Sequence, residues 1–360
     1  MTNVLRTILP ILCLVGLLSG QDPPVVDSSL PNDLPKEPVI RETFKFVLAP
    51  VAVTDQDGNF IKGLTPLDFR LTDNYEIQSV TSDIAPHPLS LVVVIQANAD
   101  VEHVLPQIRK LNSVFESSLL GDSGEMAVLA FDDHTQTLVD FTRDPVQIDA
   151  AFRKLKSGNH SNHLNDAVMA GIDILRSRAV SRRRILVLLS ENRDNGSDIT
   201  IREVLTAADF TNVMIYSIDI SQLVSALTAH AQPSAPDPIP VEARYYSAGV
   251  VGTPTLQSQM EMGNWIPAFK DIFLAAKGVF VPAPLDVYTR YTGGRQFSFK
   301  TQNTLEQDIA ELGEELQNQY MFTYHPNTES QAGFHQIGLT VLKPDLKVRS
   351  RDGYWLAGKP

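Results

Sequence analysis

The stretch Leu89-Ser90-Leu91-Val92-Val93-Val94-Ile95, followed at once by Gln96-Ala97-Asn98-Ala99-Asp100, decides how this chain is read. Its apolar side chains do not alternate with polar ones, so both faces of the segment must be covered. That is the signature of a central strand in a sheet with helices on either side. The abrupt change at Gln96 marks the strand's end, where an open α/β sheet gathers its loops on one rim.

The flanking sequence repeats this rhythm. Val101, Val104, Leu105, Ile108, Leu111 and Phe115 fall on one face of a predicted helix. Glu125 to Phe131 and Thr135 to Phe141 read as a hairpin around Asp132-Asp133-His134, which makes the second strand an antiparallel edge. A helix over Asn165 to Ala179, a buried strand at Ile185 to Leu189, a helix over Thr200 to Ala208 and a strand at Val213 to Asp219 complete the pattern. The expected fold is α/β: a Rossmann-like, doubly wound, mainly parallel sheet with right-handed crossovers, spanning 85–319.

Residues 221–263 interrupt the rhythm with Pro233, Pro236, Pro238 and Pro240, then Tyr245-Tyr246, and are far longer than an ordinary connection. They read as an insertion. Helices follow at Trp265 to Lys277 and Asp286 to Tyr291, then the turn Thr292-Gly293-Gly294 and a short strand at Gln296 to Phe299. Thr304 is the expected cap of a last helix running to Gln319, with Leu305, Ile309, Leu312 and Leu316 inward.

Both flanks are strand-like. The segment 43–84 offers Phe44 to Leu48, Val51 to Thr54, a turn at Asp57-Gly58-Asn59, Phe60-Ile61 and Phe69 to Thr72. The segment 320–360 offers Tyr320 to Tyr324, Ile337 to Val341 and Lys347 to Arg349. Neither has a sufficient core alone, so the two are expected to pack as one β-sandwich-like unit with the α/β domain inserted between them. Asp55, Asp57 and Asn59 read as turn chemistry, because Gly58 comes too early for a calcium loop.

With 360 residues, 43% of them hydrophobic and 20% charged, the chain can bury a sizeable core. A net charge of −12 disfavours nucleic acid and anionic lipid as partners. The basic run Arg182-Arg183-Arg184 reads as a solvated strand entry. Residues 1–20, with Arg6 before the apolar stretch Ile8 to Leu18, read as a signal peptide, and the Pro-rich residues 21–42 as a disordered linker. The sole cysteine, Cys13, lies inside the signal segment. The mature chain is therefore expected to be exported to the periplasm or medium, free of disulfides and thiolate sites, and without a transmembrane span.

Several motifs, in order, carry a family resemblance. They are Val51-x-Val53-x-Asp55-x-Asp57-Gly58 through Gly63-Leu64-Thr65-x-x-Asp68-Phe69, the strand before Gln96, Phe131-Asp132-Asp133, Asn165-Asp166-Ala167 and the strand before Glu191. Tyr291-Thr292-Gly293-Gly294-Arg295, Glu314-Glu315-Leu316 to Gln319-Tyr320, and Arg351-x-Gly353-Tyr354 follow. Together the chain resembles a von Willebrand factor A domain protein, of the exported type typical of Acidobacteria. The resemblance implies a Rossmann-like fold and, where the metal site is intact, cation-dependent protein binding.

At that site the family carries Asp-x-Ser-x-Ser after the first strand, a Thr from a second loop and an Asp after the fourth strand. By motif position the counterparts are Gln96, Asn98 and Asp100, then Asn162, then Glu191. All offer oxygen, but the leading carboxylate is now an amide and the hydroxyls are gone, so the expectation is a degenerate site. Mg²⁺ or another divalent cation is the one candidate cofactor, with Asp100 and Glu191 as its charged ligands.

Two further constellations stand out. His160-Ser161-Asn162-His163 with Glu191 suggests a metal-dependent hydrolase, but no third zinc ligand or nucleophile–base geometry follows from the spacing. No phosphate-binding Gly-rich loop follows the first strand. Tyr245, Tyr246 and Trp265 are candidate anchors for a protein partner, since large amphipathic aromatics concentrate interface energy. The expectation is a non-enzymatic, protein-binding module, with a hydrolase or a structural component of a cell-envelope assembly as the alternatives.

Overall fold

The computed structural model describes residues 46–83, 87–121, 123–228, 265–275, 281–298, 301–327 and 332–356. The expected signal segment and linker lie outside them. Strands β1 (Val47–Thr54), β2 (Phe69–Asp73), β3 (Glu76–Ile77) and β4 (Thr81–Asp83) come from the N-terminal segment. The central region supplies β5 (Leu89–Gln96), β6 (Glu125–Phe131), β7 (Thr135–Thr142), β8 (Arg183–Ser190), β9 (Val213–Asp219) and β10 (Gln296–Ser298). The C-terminal segment adds β11 (Tyr320–Tyr324), β12 (Gly333–Val341), β13 (Lys347–Arg349) and β14 (Gly353–Leu356).

The central sheet has the order β10-β9-β8-β5-β6-β7, parallel throughout except for β7, which runs antiparallel at the edge as its hairpin requires. Every residue of β5 is buried. Because side chains alternate across a strand, Leu91, Val93 and Ile95 enter one core and Val92 and Val94 the other. The second core is closed by α1 (Leu164–Arg176), α2 (Ile201–Thr211) and the helices Trp265–Leu274 and Pro284–Thr292. Each fully buried Val or Leu contributes about 1.5–3 kcal/mol relative to exposure. The doubly wound α/β fold expected from the sequence is therefore present.

On the first face the helix expected from Val101 to Phe115 is broken. Short turns at Ala99–Val101, Leu105–Ile108, Arg109–Leu111 and Asn112–Phe115 end in a π-turn at Glu116–Leu120. Pro106 sits in the first turn of Leu105–Ile108, where the missing N–H interrupts a continuous ladder. The apolar face survives this, with Val101, Val104, Leu105, Ile108, Leu111 and Phe115 all buried. The last helix, Gln302–Asn318, is capped by Thr301 rather than Thr304: the Thr304 amide donates to Thr301 Oγ1 at 3.4 Å.

The two ends of the chain interleave. One antiparallel sheet has the order β13-β1-β11-β4 and the other β14-β12-β2-β3, so each mixes N- and C-terminal strands. Val51, Val53, Phe69, Leu71, Phe322, Ile337 and Tyr354 share the core between them. The two strands expected at Phe44 to Leu48 and Val51 to Thr54 are one strand from Val47 through Pro50 to Thr54. Since β13 pairs only with Ala52 to Thr54, one side of β1 has no ladder to interrupt at Pro50. At the Asp57-Gly58 turn, Asp55 Oδ1 accepts the Asp57 and Asn59 amides at 2.9 Å each, and Gly58 has φ 93°. Turn chemistry accounts for this segment.

The sandwich is bolted to the α/β layers by motif residues that the sequence alone could not place. The Arg351 guanidinium, 7% exposed, pairs with Asp209 of α2, whose Oδ2 accepts the Tyr291 hydroxyl at 2.5 Å. Arg349 pairs with Glu315, which also accepts the Tyr216 hydroxyl at 2.8 Å, and donates to the Gly294 carbonyl at 2.6 Å. The arginine run is likewise structural, correcting its reading as solvated. Arg182 donates to Ser90 Oγ at 2.7 Å and the Leu89 carbonyl at 2.6 Å, Arg183 to Gln319 Oε1 at 2.8 Å, and Arg184 to the Thr211 carbonyl at 2.8 Å. Desolvation lowers the pKa of both Arg183 and Arg184.

Candidate functional site

The loops after β5 and β8 meet a third loop, residues 158–163, on the rim at the C-terminal ends of the parallel strands. Asp132, at the tip of the β6–β7 hairpin, holds this third loop. Its carboxylate accepts the Asn159 amide at 2.9 Å and its carbonyl the His163 amide at 2.9 Å. Gly158 donates to the Ala97 carbonyl at 2.7 Å, and a Cβ there would lie 2.0 Å from Asp132 Oδ2, so only glycine lets the loop approach this closely. The Asn165-Asp166 motif at the start of α1 fixes the loop after β8. Asp166 accepts the Ile199 amide at 2.9 Å, and Asn165 Nδ2 donates to the Ile199 carbonyl at 3.0 Å. Asn192 secures the other side through Asp286 Oδ2 at 2.9 Å.

Gln96, Asn98, Asp100 and Glu191 come together in one network, joined by a residue the sequence reading missed. Gln96 is fully buried; its Oε1 accepts the Glu191 amide at 2.8 Å and the Ser190 hydroxyl at 2.9 Å. Its Nε2 donates to Asn98 Oδ1 at 2.9 Å and Glu191 Oε2 at 3.0 Å. Asn98 Nδ2 turns to the His160 carbonyl at 3.3 Å. Arg193 Nη2 then donates both to Asp100 Oδ2 at 2.9 Å and to Glu191 Oε2 at 3.1 Å. Asn162 bridges to the same loop, its Nδ2 donating to the Arg193 carbonyl at 3.0 Å, while its Oδ1 is buried without a partner among the described residues. Exposure rises across the rim, from 12% for the Glu191 side chain to 34% for Asp100 and 54% for Arg193.

These donors do not suit a divalent cation. Of the oxygens expected to ligate one, Gln96 Oε1, Asn98 Oδ1, Asp100 Oδ2 and Glu191 Oε2 already accept hydrogen bonds, and two N–H groups point at Glu191 Oε2. The sequence held a signal for this: a basic residue two positions after Glu191, inside the loop that would have to offer an anionic ligand.

The two histidines serve different carboxylates. His160 Nδ1 lies 3.2 Å from Asp100 Oδ1, with its side chain 85% exposed, whereas His163 Nδ1 lies 3.4 Å from Asp166 Oδ2. The space beside His163 Nε2 is taken by Gly196, where a Cβ would lie 2.6 Å away. The structure does not gather this pair with Glu191 into one constellation. The Asp132-Asp133-His134 cluster spends its ligand atoms internally, with His134 Nδ1 at 2.9 Å from Asp132 and 2.6 Å from Asp133. The hydrogen bond to Asp133, followed by the charge of Asp132, raises the His134 pKa.

Trp265 is 6% exposed, packs on Phe269 and carries the Arg290 guanidinium 4.9 Å over its ring, so it faces its own core. This corrects the expectation that it anchors a partner: its helix needs the indole to close the second core. Tyr245 and Tyr246 lie outside the described residues.

No protein-family model matches the chain, and no curated protein does. Among solved structures it is similar to a von Willebrand factor type A protein from Catenulispora acidiphila, at 9% identity and TM-score 0.44, covering 88% of this chain and 64% of that one. It is also similar to the conserved hypothetical protein BatB from Bacteroides thetaiotaomicron, at 7% identity and TM-score 0.41, covering 64% and 98%. A third is an aerotolerance-related membrane protein from Bacteroides fragilis, at 11% identity and TM-score 0.36, again covering 64% and 98%. Identities this low carry no site residue across. Among the described residues, no helix is long and apolar enough to cross a membrane.

Proposed function

We propose that this chain is an exported, non-enzymatic protein-binding module of the von Willebrand factor A type, whose partner face is the rim around Asp100, His160 and Arg193. The observation that carries the reading is the convergence of three separate loops on one polar surface, each pinned by hydrogen bonds to the buried residues Gln96, Asp132 and Asn165. A rim held this rigidly presents its polar groups without a large ordering cost on binding. Export rests on the N-terminal segment. The insertion with Tyr245 and Tyr246 is a second contact in this reading. The degenerate adhesion site follows from the residue types at 96, 98 and 162.

The test uses the chain's own chemistry. With Cys13 as its only cysteine, lost in the mature form on this reading, the protein accepts a single engineered thiol. A photo-crosslinker at His160→Cys should trap a protein partner, and one at Val180→Cys, 91% exposed at the opposite end of the sheet, should not. Equal trapping at both positions, or none at His160→Cys, rejects the rim as the partner face.

A further inference from the structure

We propose that Arg193 is a tethered cation: with the Gln96 amide, it takes the place of a divalent ion at this rim, so the surface works without metal. The inference rests on reading the rim as the adhesion-site position, and it adds the chemistry by which that site is completed.

The amide orientation at Gln96 is forced. The Glu191 backbone N–H, 2.8 Å from the side chain, can only donate, so the atom facing it must be the carbonyl oxygen. The amide nitrogen is then committed to Asn98 Oδ1 and Glu191 Oε2. A donor therefore projects where a leading carboxylate would project an acceptor. Asn98 is fixed in turn, since its oxygen receives Gln96 and its nitrogen faces Asp100 Oδ2 at 3.5 Å.

Charge completes the case. Asp100 and Glu191 bring two negative charges to the rim, and the Arg193 guanidinium lies within 2.9 Å of one and 3.1 Å of the other through a single nitrogen. It does what a bridging ion would do, holding two carboxylates together. A divalent ion entering there would meet a guanidinium, which does not deprotonate to make room. Asn162 Oδ1, without a partner among the described residues, is a neutral oxygen, whereas Mg²⁺ is usually held through one or two carboxylates with waters completing its octahedron, and both carboxylates here are engaged by Arg193.

The test measures Mn²⁺ binding to the purified chain by paramagnetic resonance. The parent should bind no more Mn²⁺ than its Asp100→Ala variant, and Arg193→Lys, which keeps the charge, should be equally silent. Replacing both stand-ins, Gln96→Asp with Arg193→Ala, should tighten Mn²⁺ binding at least about tenfold, and adding Glu191→Ala should remove the gain. Parent binding that Asp100→Ala or Glu191→Ala abolishes overturns the proposal. So does silence of the double variant, provided that it melts cooperatively, because the rim would then hold no cation position. The partner face is judged separately. Cross-linking at position 160 that disappears with EDTA overturns metal independence alone, whereas no cross-linking in either condition overturns the partner face alone.

Discussion

Asp209→Ala tests how the sandwich is held to the α/β layers. Asp209 lies on α2, its side chain 16% exposed, and meets the C-terminal segment through Arg351 and the Trp355 amide, the latter at 3.3 Å. Removing the carboxylate leaves the Arg351 guanidinium 7% exposed, with the Gly353 carbonyl at 2.9 Å and the Leu48 carbonyl at 3.5 Å as its remaining acceptors. Burial lowers the Arg351 pKa, but the Asp209 charge and hydrogen bond together with Tyr291 outweigh it and the net shift is upward. Once Asp209 is gone the guanidinium still stays charged, because arginine does not deprotonate in proteins. Breaking a buried pair from one side costs about 3–5 kcal/mol. The Tyr291 hydroxyl also loses its acceptor, about 1 kcal/mol more. Because water reaches Asp209 in part, the pair is taken at the lower end of that range, and with the Tyr291 hydroxyl the expected loss is about 4 kcal/mol.

The partner variant makes the argument sharper. With Asp209→Ala and Arg351→Leu together, no unpaired charge is buried, and stability should return to within about 1–2 kcal/mol of the parent. Urea denaturation followed by far-ultraviolet circular dichroism gives the four corners of the cycle. Should Asp209→Ala cost less than about 1 kcal/mol, or the double variant be no more stable than that single one, then the pair is not what holds these layers together.

The sequence revealed the α/β layer because its signal is local. Full burial of β5 on both faces is written into Leu89 to Ile95, and the edge position of β7 into the short turn before it. The sandwich was readable as an inference from two segments each too small to fold alone, and the interleaving of β1 between β13 and β11 realises it. The role of the remaining motifs was not legible, because it lies in contacts between residues far apart in sequence: Arg351 meets Asp209 and Arg349 meets Glu315. At the rim, position relative to the family's motif located Gln96, Asn98, Asp100 and Glu191. Which end of the Gln96 amide faces inward depends on where the Glu191 amide points, and only the fold supplies that. Arg193 was missed for the same reason, since a basic residue in a loop has no assigned direction until the backbone gives it one.

Asp308 should respond to pH. Burial first, then the Glu311 charge, pushes its carboxyl up to about 6 against Arg295, and its Oδ2 is buried without a partner. The folded pKa exceeds the unfolded value of 3.8, so stability is full below about pH 4 and falls as pH rises through about 6. After solvent screening, Asp308→Asn should therefore gain up to about 1 kcal/mol at pH 7 and nothing near pH 4, and an equal gain at both would reject this cause. Gly294→Ala should be far worse than Gly171→Ala, although both are buried glycines packed against the sheet. At Gly171 the added Cβ meets Leu186 Cδ1 at 2.6 Å, the end of a side chain that can rotate away, for a cost of about 1–3 kcal/mol. At Gly294 it meets the Ile215 carbonyl oxygen at 1.9 Å, and that backbone belongs to β9, paired on both sides by β8 and β10. Relief there requires moving a central strand and the Arg349 contact with Gly294 as well, so Gly294→Ala should fail to give a folded chain under conditions where Gly171→Ala unfolds cooperatively. Comparable melting of the two would mean that the turn after Thr292 is free to shift, and that Gly294 is not fixed by this approach to β9.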